Sequence, residues 1–460
     1  MSLNQKKHAI FGQDPDILIA MMSNIISWCV KRFFPRLLPK LLPQCSEEEV
    51  GNIDGDGHKG NNSETRSRTK CISIGRPGGM EQLRTVFLKE DIMTVGYNLK
   101  QFRPPPFTTK IEKDSDIPSD CIVLSNECFS VNYADCTIRW GLYESAKRFV
   151  GWPIVPGFDV AGTIESVGTG TGTGTGTALV ASDQVNAPSL QVGDKVFGCT
   201  LFGAYSNRVL VPRNQLRKIP KGMSMEEAAS LPAVALTALH ALSLAGYFPT
   251  STNYSNKSIL VHSAAGGVGS MLVQMSKILG LGPIVGVVGS TSKVQAAKDL
   301  GCDVVIDKSS QDLWRRAEEV APSGFKTIMD ANGVSTLQES YNHLAATGRL
   351  VVFGFHSNLP MGKDMLSPFE WIRMARKMGS MPAFDPMDLV VDNKSVLGFN
   401  LSFFADEKEV VSKLFDQICD WLEDDLLKCP KVSTFDMDEI GNAHALIQSG
   451  RSIGKIVVKC

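Results

Sequence analysis

One stretch limits the possible folds more than any other: Ser258-Ile259-Leu260-Val261-His262, then Ser263-Ala264-Ala265-Gly266-Gly267-Val268-Gly269. The apolar run before the glycines reads as a buried strand. Beyond them Met271, Leu272, Met275, Ile278 and Leu279 recur at three- and four-residue spacing. That periodicity predicts a helix with one apolar face, and Gly280 and Gly282 stop it. A bare G-x-G-x-x-G is a weak signal, but Ala264-x-Gly266-x-x-Gly269 stands between a strand and a helix, where the motif has a physical meaning. Gly266 lets the backbone approach a pyrophosphate. Gly269 lets the helix pack close on the strand, and the positive helix end faces the phosphates. Ala264 departs from the pattern, which usually opens with Gly. Ala265, Gly267 and Val268 complete the candidate cofactor turn. The competing reading is a tight turn with no ligand.

The surrounding chain alternates strands and helices from about Met223 onward. Pro283 opens a strand over 284–288, and further strands are expected over 304–306, 326–329 and 349–353, with helices near 293–300, 309–320 and 335–346. That alternation predicts a parallel α/β sheet. Upstream the pattern is β-rich: 121–124, 161–167, 195–197 and 207–211 read as strands, with Pro and Gly in the gaps. The GTGTGTGTGT run at 168–177 alternates strictly and has no helix after it, so it reads as a low-complexity insertion and not as a phosphate loop.

The first 75 residues differ from both regions. Residues 45–75 carry GNIDGDGHKGNNSETRSRTK, which has almost nothing to bury, and are expected to be a disordered linker. Its Asp54-Gly55-Asp56-Gly57 lacks the distal Glu of a calcium loop. Residues 17–30 (ILIAMMSNIISWCV) are nearly all apolar, but a helix of that length reaches only about 21 Å, short of a hydrocarbon core of about 30 Å. Lys31, Arg32, Arg36 and Lys40 follow. Three readings compete for residues 1–44: a helix in the membrane interface through residues 16–44, an organelle-targeting segment, and a helix packed on the body of the protein. The interface reading is preferred. Asp14 and Asp16 count against targeting, and no small-residue cleavage site marks a secretory signal.

Over the whole chain of 460 residues, 47 Lys+Arg against 48 Asp+Glu leave a net charge of -1, which excludes a basic field for nucleic acid. Eleven cysteines without a C-x-x-C argue for reduced intracellular thiols over a disulfide or zinc-ribbon scaffold. The expected location is cytoplasmic, with membrane association or organelle targeting left open.

The end of the second strand of the α/β region bears on the cofactor. An NAD site needs a carboxylate about 20 residues after the turn. There the chain has Gly289-Ser290-Thr291-Ser292-Lys293 and no Asp or Glu. Ser290, Ser292 and Lys293, with Lys308 after the third strand, suit a 2′-phosphate, so NADPH is expected over NADH. Ser292 could equally cap the next helix.

Several stretches together resemble one family. They are Asn132-Tyr133-Ala134-Asp135 with Ile138-Arg139-Trp140-Gly141-Leu142-Tyr143, Pro156-Gly157-Phe158-Asp159-Val160-Ala161-Gly162, Val192-Gly193-Asp194-Lys195-Val196, Ala228-Ala229-Ser230-Leu231-Pro232 with Leu236-Thr237-Ala238, the AAGGVG turn and Gly348-Arg349-Leu350-Val351-Val352-Phe353-Gly354. Over residues 76–460 the chain resembles the zinc-free, zeta-crystallin-like quinone oxidoreductases of the medium-chain dehydrogenase/reductase superfamily. Val396-Leu397-Gly398-Phe399-Asn400-Leu401 is similar to the vesicle-amine-transport-protein-like branch.

The resemblance implies an α/β protein: a GroES-like β-rich catalytic domain, a Rossmann doubly wound parallel-sheet domain for NADPH, and an N-terminal extension. The expected divisions are 1–44 extension, 45–75 linker, 76–218 catalytic domain, 219–402 Rossmann domain and 403–460 return to the catalytic domain. It implies reduction of a quinone or an α,β-unsaturated carbonyl in the cleft, and homodimerisation through the edge of the cofactor sheet. Enoyl-thioester reduction is the alternative chemistry, and a membrane-associated NADPH-binding protein of little activity is the alternative class. Zinc-dependent relatives carry Cys, His and Glu where this chain has Asn132, Phe158 and Asp159, so no metal is expected. The resemblance places Asn132 and Tyr143 as hydrogen-bond donors to the acceptor carbonyl, with Arg139 as a nearby cation or as a partner of Asp135. A second Tyr common in the family is Thr137 here. On the nicotinamide side it points to Phe353, Gly354, Phe399 and Thr237, whose hydroxyl could instead bond its own helix. Lys455 reads as a solvated strand lysine or a phosphate ligand. No G-x-S-x-G elbow occurs, and the two Gly-Lys pairs have Ser357 and Ser449 where a P-loop needs Gly.

Overall fold

The computed structural model describes residues 68–89, 92–96, 108–169, 189–249, 254–355, 376, 379–404 and 407–460. The expectations for residues 1–44, for most of the linker and for the Gly-Thr repeat beyond residue 169 lie outside the described residues.

The first part of the described chain is built from strands β1 (Lys70–Ile74), β2 (Leu83–Phe87), β3 (Ile92–Val95), β4 (Thr108–Lys110), β5 (Cys121–Val131), β6 (Asp159–Val167), β7 (Lys195–Cys199), β8 (Arg208–Pro212) and β9 (Leu216–Lys218). β1 and β2 make a separate antiparallel pair. The larger sheet runs β4-β3-β8-β5-β6-β7-β9. β5 and β6 are its spine: Ile122, Leu124, Phe129 and Val131 pack with Val160 and Ile164 in one buried cluster. The linker was expected to reach residue 75, and the structure corrects this. Cys71, Ile72 and Ile74 of β1 are fully buried, so strand β1 starts six residues before the expected domain start at 76.

The second sheet holds β10 (Ile259–His262), β11 (Ile284–Val288), β12 (Val304–Asp307), β13 (Phe325–Asp330), β14 (Leu344–Val352) and β15 (Ser395–Gly398), all parallel, in the order β12-β11-β10-β13-β14-β15. Both faces are covered. Ile259 and Val261 pack with Met271, Leu272 and Met275 on one side, and Leu260, Val285, Val287 and Ile306 form a core on the other. The strand order reverses between β10 and β13, which is where ligands bind at the carboxyl ends of such sheets. The helix expected over 335–346 is only Leu337–Asn342, because β14 begins at Leu344 and pairs with Phe325.

One core joins the two sheets. Ala161 and Phe197 of the first sheet share it with Ala235, Leu239 and Leu242 of the helix Pro232–Leu244 and with Met271 of the helix Gly267–Ile278. Phe415, Ile418 and Trp421 of the helix Lys408–Glu423 complete it, the Phe415 ring lying 5.2 Å from Phe197. The chain then makes β16 (Val432–Asp436) and β17 (Lys455–Lys459). β17 lies parallel to β16 and antiparallel to β5, so the last strand closes on the first sheet.

Candidate active site

The glycine turn follows β10. A Cβ on Gly269 would stand 2.2 Å from the Ser263 carbonyl oxygen and 2.8 Å from Ala264 Cα, so this helix-to-strand contact admits only glycine. Gly266 precedes the helix at φ -85°, and a Cβ there would meet only the Ser263 oxygen, at 3.2 Å. No side chain caps this helix. Ala264 and Ala265 are buried beneath the turn. Glycine at 266, 267 and 269 with an uncapped first turn fits a bound pyrophosphate, whose oxygens take the donors a side chain would otherwise satisfy. The Gly454 amide donates to the Ala265 carbonyl at 2.9 Å, which brings the start of β17 against the turn.

At the end of β11, Ser290 Oγ and Ser292 Oγ lie 3.0 Å apart. Lys308 lies alongside, since a Cβ on Gly289 would be 3.8 Å from its Cε. Neither the turn Thr291–Lys293 nor the helix Val294–Asp299 has a side-chain cap, so Ser292 is not a capping residue. Lys293 is placed differently from expectation: its Nζ donates to the Gly450 carbonyl at 2.7 Å. A carboxylate does enter this region, from the neighbouring strand. Asp307 accepts from Thr291 Oγ1 at 2.6 Å and from the Ser309 amide and hydroxyl at 2.9 and 2.6 Å. The hydrogen bonds from Ser309 and Thr291 hold its pKa down at about 2.

Phe353 and Gly354 follow β14, and Phe399 follows β15. The two phenyl rings are 6.2 Å apart, and His240 meets Phe399 edge-on at 4.6 Å. A Cβ on Gly354 would stand 2.8 Å from the Ala331 oxygen. Thr237 Oγ1 donates to the Ala233 carbonyl at 2.6 Å, so its hydroxyl is used within its own helix.

On the first-sheet side, Asn132 precedes the helix Tyr133–Arg139 and its backbone amide donates to Asp135 Oδ2 at 2.7 Å. Its side chain is not a free donor. Nδ2 donates to Asp159 Oδ2 at 2.8 Å, and Oδ1 accepts from Lys455 Nζ at 2.6 Å. Lys455 Nζ is also 3.4 Å from Asp159 Oδ2. Asp159 further accepts from the Ser130 hydroxyl and, at 2.6 Å, from the Ala233 amide. Lys455 is therefore neither solvated nor free for a phosphate: it is 4% exposed. Burial depresses its pKa, and Asp159 and Asp135 oppose that shift. Burial also pushes Asp135 up to about 7.

Tyr143 is poised between the two parts of the chain. Its hydroxyl lies 2.8 Å from Ser402 Oγ and donates to Asn400 Oδ1 at 3.2 Å, both residues following β15. Its ring meets Phe158 edge-on at 6.0 Å. Burial raises its pKa, so the phenol keeps its proton. Arg139 lies elsewhere. Its guanidinium is buried, donates to the Gly78 carbonyl at 3.0 Å and Gln448 Oε1 at 2.8 Å, and pairs neither with Asp135 nor with the cleft.

Sequence reasoning missed Asn400 and Ser402 as partners of Tyr143, and it missed the burial of Lys455. The period-2 pattern of β17 carried a signal for the lysine, because Lys455 shares a face with the fully buried Val457. Among the described residues no group of three or more His, Cys, Asp or Glu could hold a metal ion.

Two family models match the chain, the alcohol dehydrogenase GroES-like domain over residues 119–221 and the zinc-binding dehydrogenase family over residues 267–416. A synaptic vesicle membrane protein VAT-1 homolog from Danio rerio is 29% identical over 328 residues, covering 71% of this chain and 62% of the relative. A 2-methylene-furan-3-one reductase from Solanum lycopersicum is 28% identical over 301 residues, covering 61% of this chain and 70% of that enzyme. The crystal structure of Escherichia coli quinone oxidoreductase complexed with NADPH superposes with a TM-score of 0.64 at 21% identity, over 85% of this chain and 100% of that one, and so shares the fold.

The fold and the two matched domains define a two-domain oxidoreductase architecture of the medium-chain dehydrogenase/reductase superfamily. Within that superfamily the chain is similar to VAT-1 homologs and to a 2-methylene-furan-3-one reductase, and it shares the fold of a quinone oxidoreductase.

Proposed function

We propose that the protein is an NADPH-dependent reductase of quinones or α,β-unsaturated carbonyls that works without zinc. One connected path of contacts carries this reading. Ala265 of the glycine turn bonds Gly454, and the adjoining Lys455 bonds Asn132. Asn132 bonds Asp159, next to Phe158, whose ring faces Tyr143. This path supports a single site that includes the nucleotide turn and the half-buried, protonated phenol of Tyr143. The names of two relatives support the substrate class, a 2-methylene-furan-3-one reductase and a 2-haloacrylate reductase. For the cofactor, Ser290, Ser292 and Lys308 offer hydroxyls and a charge for a 2′-phosphate.

When bound, the reduced nicotinamide supplies a hydride to an electron-poor carbon. The glycine turn binds the pyrophosphate and thereby orients the dinucleotide. Phe353 and Phe399 make an apolar wall at the carboxyl edge of the sheet, which excludes water. As charge grows on the acceptor's carbonyl oxygen, the Tyr143 hydroxyl turns from Asn400 to that oxygen and donates, and one such donor in a dry site is worth about 3 kcal/mol. Asn132 does not touch the acceptor; it holds the wall between Lys455 and Asp159. The zinc-free reading rests on that wall. An ammonium already bonds Asn132 and lies beside Asp159, the positions where ligands would have to converge.

Oxidation of NADPH and NADH across a panel of quinones, enals and enoyl-CoA esters tests the reading. Turnover of quinones or enals with NADPH is expected. Activity confined to enoyl-CoA esters would move the assignment to enoyl-thioester reduction, and equal affinity for the two dinucleotides would remove the 2′-phosphate argument. A membrane-associated role is the second reading, supported by the apolar and basic residues 16–44 and by relatives named as vesicle membrane proteins. Liposome sedimentation of the protein with and without residues 1–44 tests it, and an unchanged pellet on deletion would end it. A homodimer formed along β15, the outer strand of the second sheet, accords with Val390 and Val391 nearby, which are 74% and 77% exposed. Val391→Lys should then give a monomer in sedimentation analysis.

A further inference from the structure

We infer that Lys455 is a positioning residue of this site: its buried ammonium fixes the orientation of the Asn132 carboxamide and ties that side chain to the glycine turn. The inference deepens the reductase reading and rests on it for its kinetic consequence.

A carboxamide has two nearly equivalent orientations unless its neighbours distinguish oxygen from nitrogen. Here they do so strongly. The Oδ1 end meets an ammonium, which can only donate, at 2.6 Å. The Nδ2 end meets Asp159 Oδ2 at 2.8 Å. A flipped amide would set NH2 against NH3+ and oxygen against a carboxyl oxygen, and both contacts would be lost. The pin is itself anchored. Asp159 is held by the Ser130 hydroxyl and by the Ala233 amide at 2.6 Å, near the start of the helix Pro232–Leu244.

The stem of Lys455 reaches this position across the cofactor helix. A Cβ on Gly267 would lie 3.0 Å from Lys455 Cδ and 3.0 Å from Val234 Cγ1. Gly267 is the first residue of that helix, so one lysine touches both the start of the phosphate-binding turn and the acceptor-side wall. Gly454, at φ 68°, makes the approach possible: its amide bonds Ala265, and a Cβ on it would strike the Lys431 carbonyl oxygen at 2.1 Å. Downstream, Asn132 opens the helix Tyr133–Arg139 that leads to Tyr143. Loosening Asn132 therefore loosens the segment that presents the phenol.

The experiment is a double-mutant cycle on the full chain, using Lys455→Met, Asn132→Ala and the two together, with kcat and KM measured for the best acceptor and NADPH. If Lys455 acts through Asn132, each single substitution lowers kcat about ten-fold, the double loses no more than either alone, and Lys455→Arg recovers part of the rate. Losses that multiply to about a hundred-fold, or an Arg variant no better than Met, would overturn the inference. A second readout does not depend on activity. In protein carrying 15N-asparagine, the Asn132 side-chain amide is identified by its disappearance in Asn132→Ala, and its hydrogen exchange should be slow in the native protein and fast in Lys455→Met. Equal protection in both would refute the pin. If Lys455→Met does not fold, Lys455→Leu, which likewise offers no donor, takes its place in both measurements with the same expectations. A native protein that oxidises no NADPH with any acceptor refutes the reductase reading alone, since the exchange measurement still decides the pin.

Discussion

Two glycines of the same turn should fail in opposite ways. Gly269→Ala adds a Cβ that would stand 2.2 Å from the Ser263 oxygen and 2.8 Å from Ala264 Cα. Both neighbours are backbone, so no side chain can swing away; the helix must withdraw from β10 by more than about 1 Å to reach ordinary contact. Overpacking of this kind costs about 1–3 kcal/mol, and each kcal/mol lowers Tm by roughly 2–4 °C in a domain of about 150–250 residues. Gly266→Ala differs. Its φ of -85° suits any residue, and the added Cβ meets one backbone oxygen at 3.2 Å, which has to give by only a few tenths of an ångström, so the cost to the fold should be much smaller. The methyl group stands instead where the backbone approaches phosphate. Losing one hydrogen bond to a charged oxygen costs about 1.5–3 kcal/mol, which is roughly ten- to a hundred-fold in Kd. Thermal melts without ligand and fluorescence titration with NADPH separate the two effects. Gly269→Ala should melt early, and Gly266→Ala should melt close to the native protein yet bind weakly. A Gly266→Ala protein that binds NADPH like the native one would refute the cradle.

Other outcomes can be checked singly. Tyr143→Phe removes the donor but keeps the ring against Phe158, and should lower kcat about ten-fold or more with little change in KM; an unchanged rate would leave Tyr143 a packing residue. His444 is buried against Tyr205 and Cys136, and burial, with the Arg139 charge, lowers its pKa from 6.5 to about 3. Between those values the unfolded chain binds a proton that the folded chain rejects. Its contribution is therefore complete above pH 6.5 and is lost as pH falls toward 3. Melts at pH 5 and 7 should show a difference that shrinks in His444→Gln, and an undiminished difference would assign the acid sensitivity to other groups. Prolonged treatment with a strong chelator should leave NADPH oxidation intact, and loss of activity restored by zinc would refute the metal-free reading.

What could be read from the chain beforehand depended on whether a residue's partner lay nearby in sequence. Gly269 and β10 are neighbours along the chain, so spacing alone announced both the turn and its close packing. Periodicity marked the parallel strands for the same reason. The misplaced side chains are long or hydroxyl-bearing, and their partners are remote. Arg139 finds Gly78, 61 residues back, and Gln448, and Lys293 finds Gly450, the last two contacts existing only once the C-terminal segment has folded back. Thr237 was settled by a local competitor, the carbonyl four residues back, which is always within reach of a helical threonine. The early start at Lys70 has a similar cause: a five-residue strand beside a polar segment shows its burial only when β2 and the body of the first sheet cover it.

Lys455 is the sharpest case, because stability alone does not account for it. A buried ammonium beside a carboxyl group gains attraction but loses hydration, and well-packed apolar replacements of such pairs are often neutral or stabilising. Methionine in its place would fill similar space between Gly267 and Val234 and would suit the alternation of β17. What methionine would not do is tell one end of the Asn132 amide from the other. Near that amide burial pushes Asp135 up to about 7, although the Asn132 and Gly157 backbone amides donate to it. Around Asp159, Ser130, the Ala233 amide, the Asn132 amide and Lys455 together supply the hydrogen bonds that water would provide outside. The lysine's charge, the carboxyl group and the amide therefore make sense as one unit, whose product is a fixed wall between the nucleotide turn and the helix that leads to Tyr143.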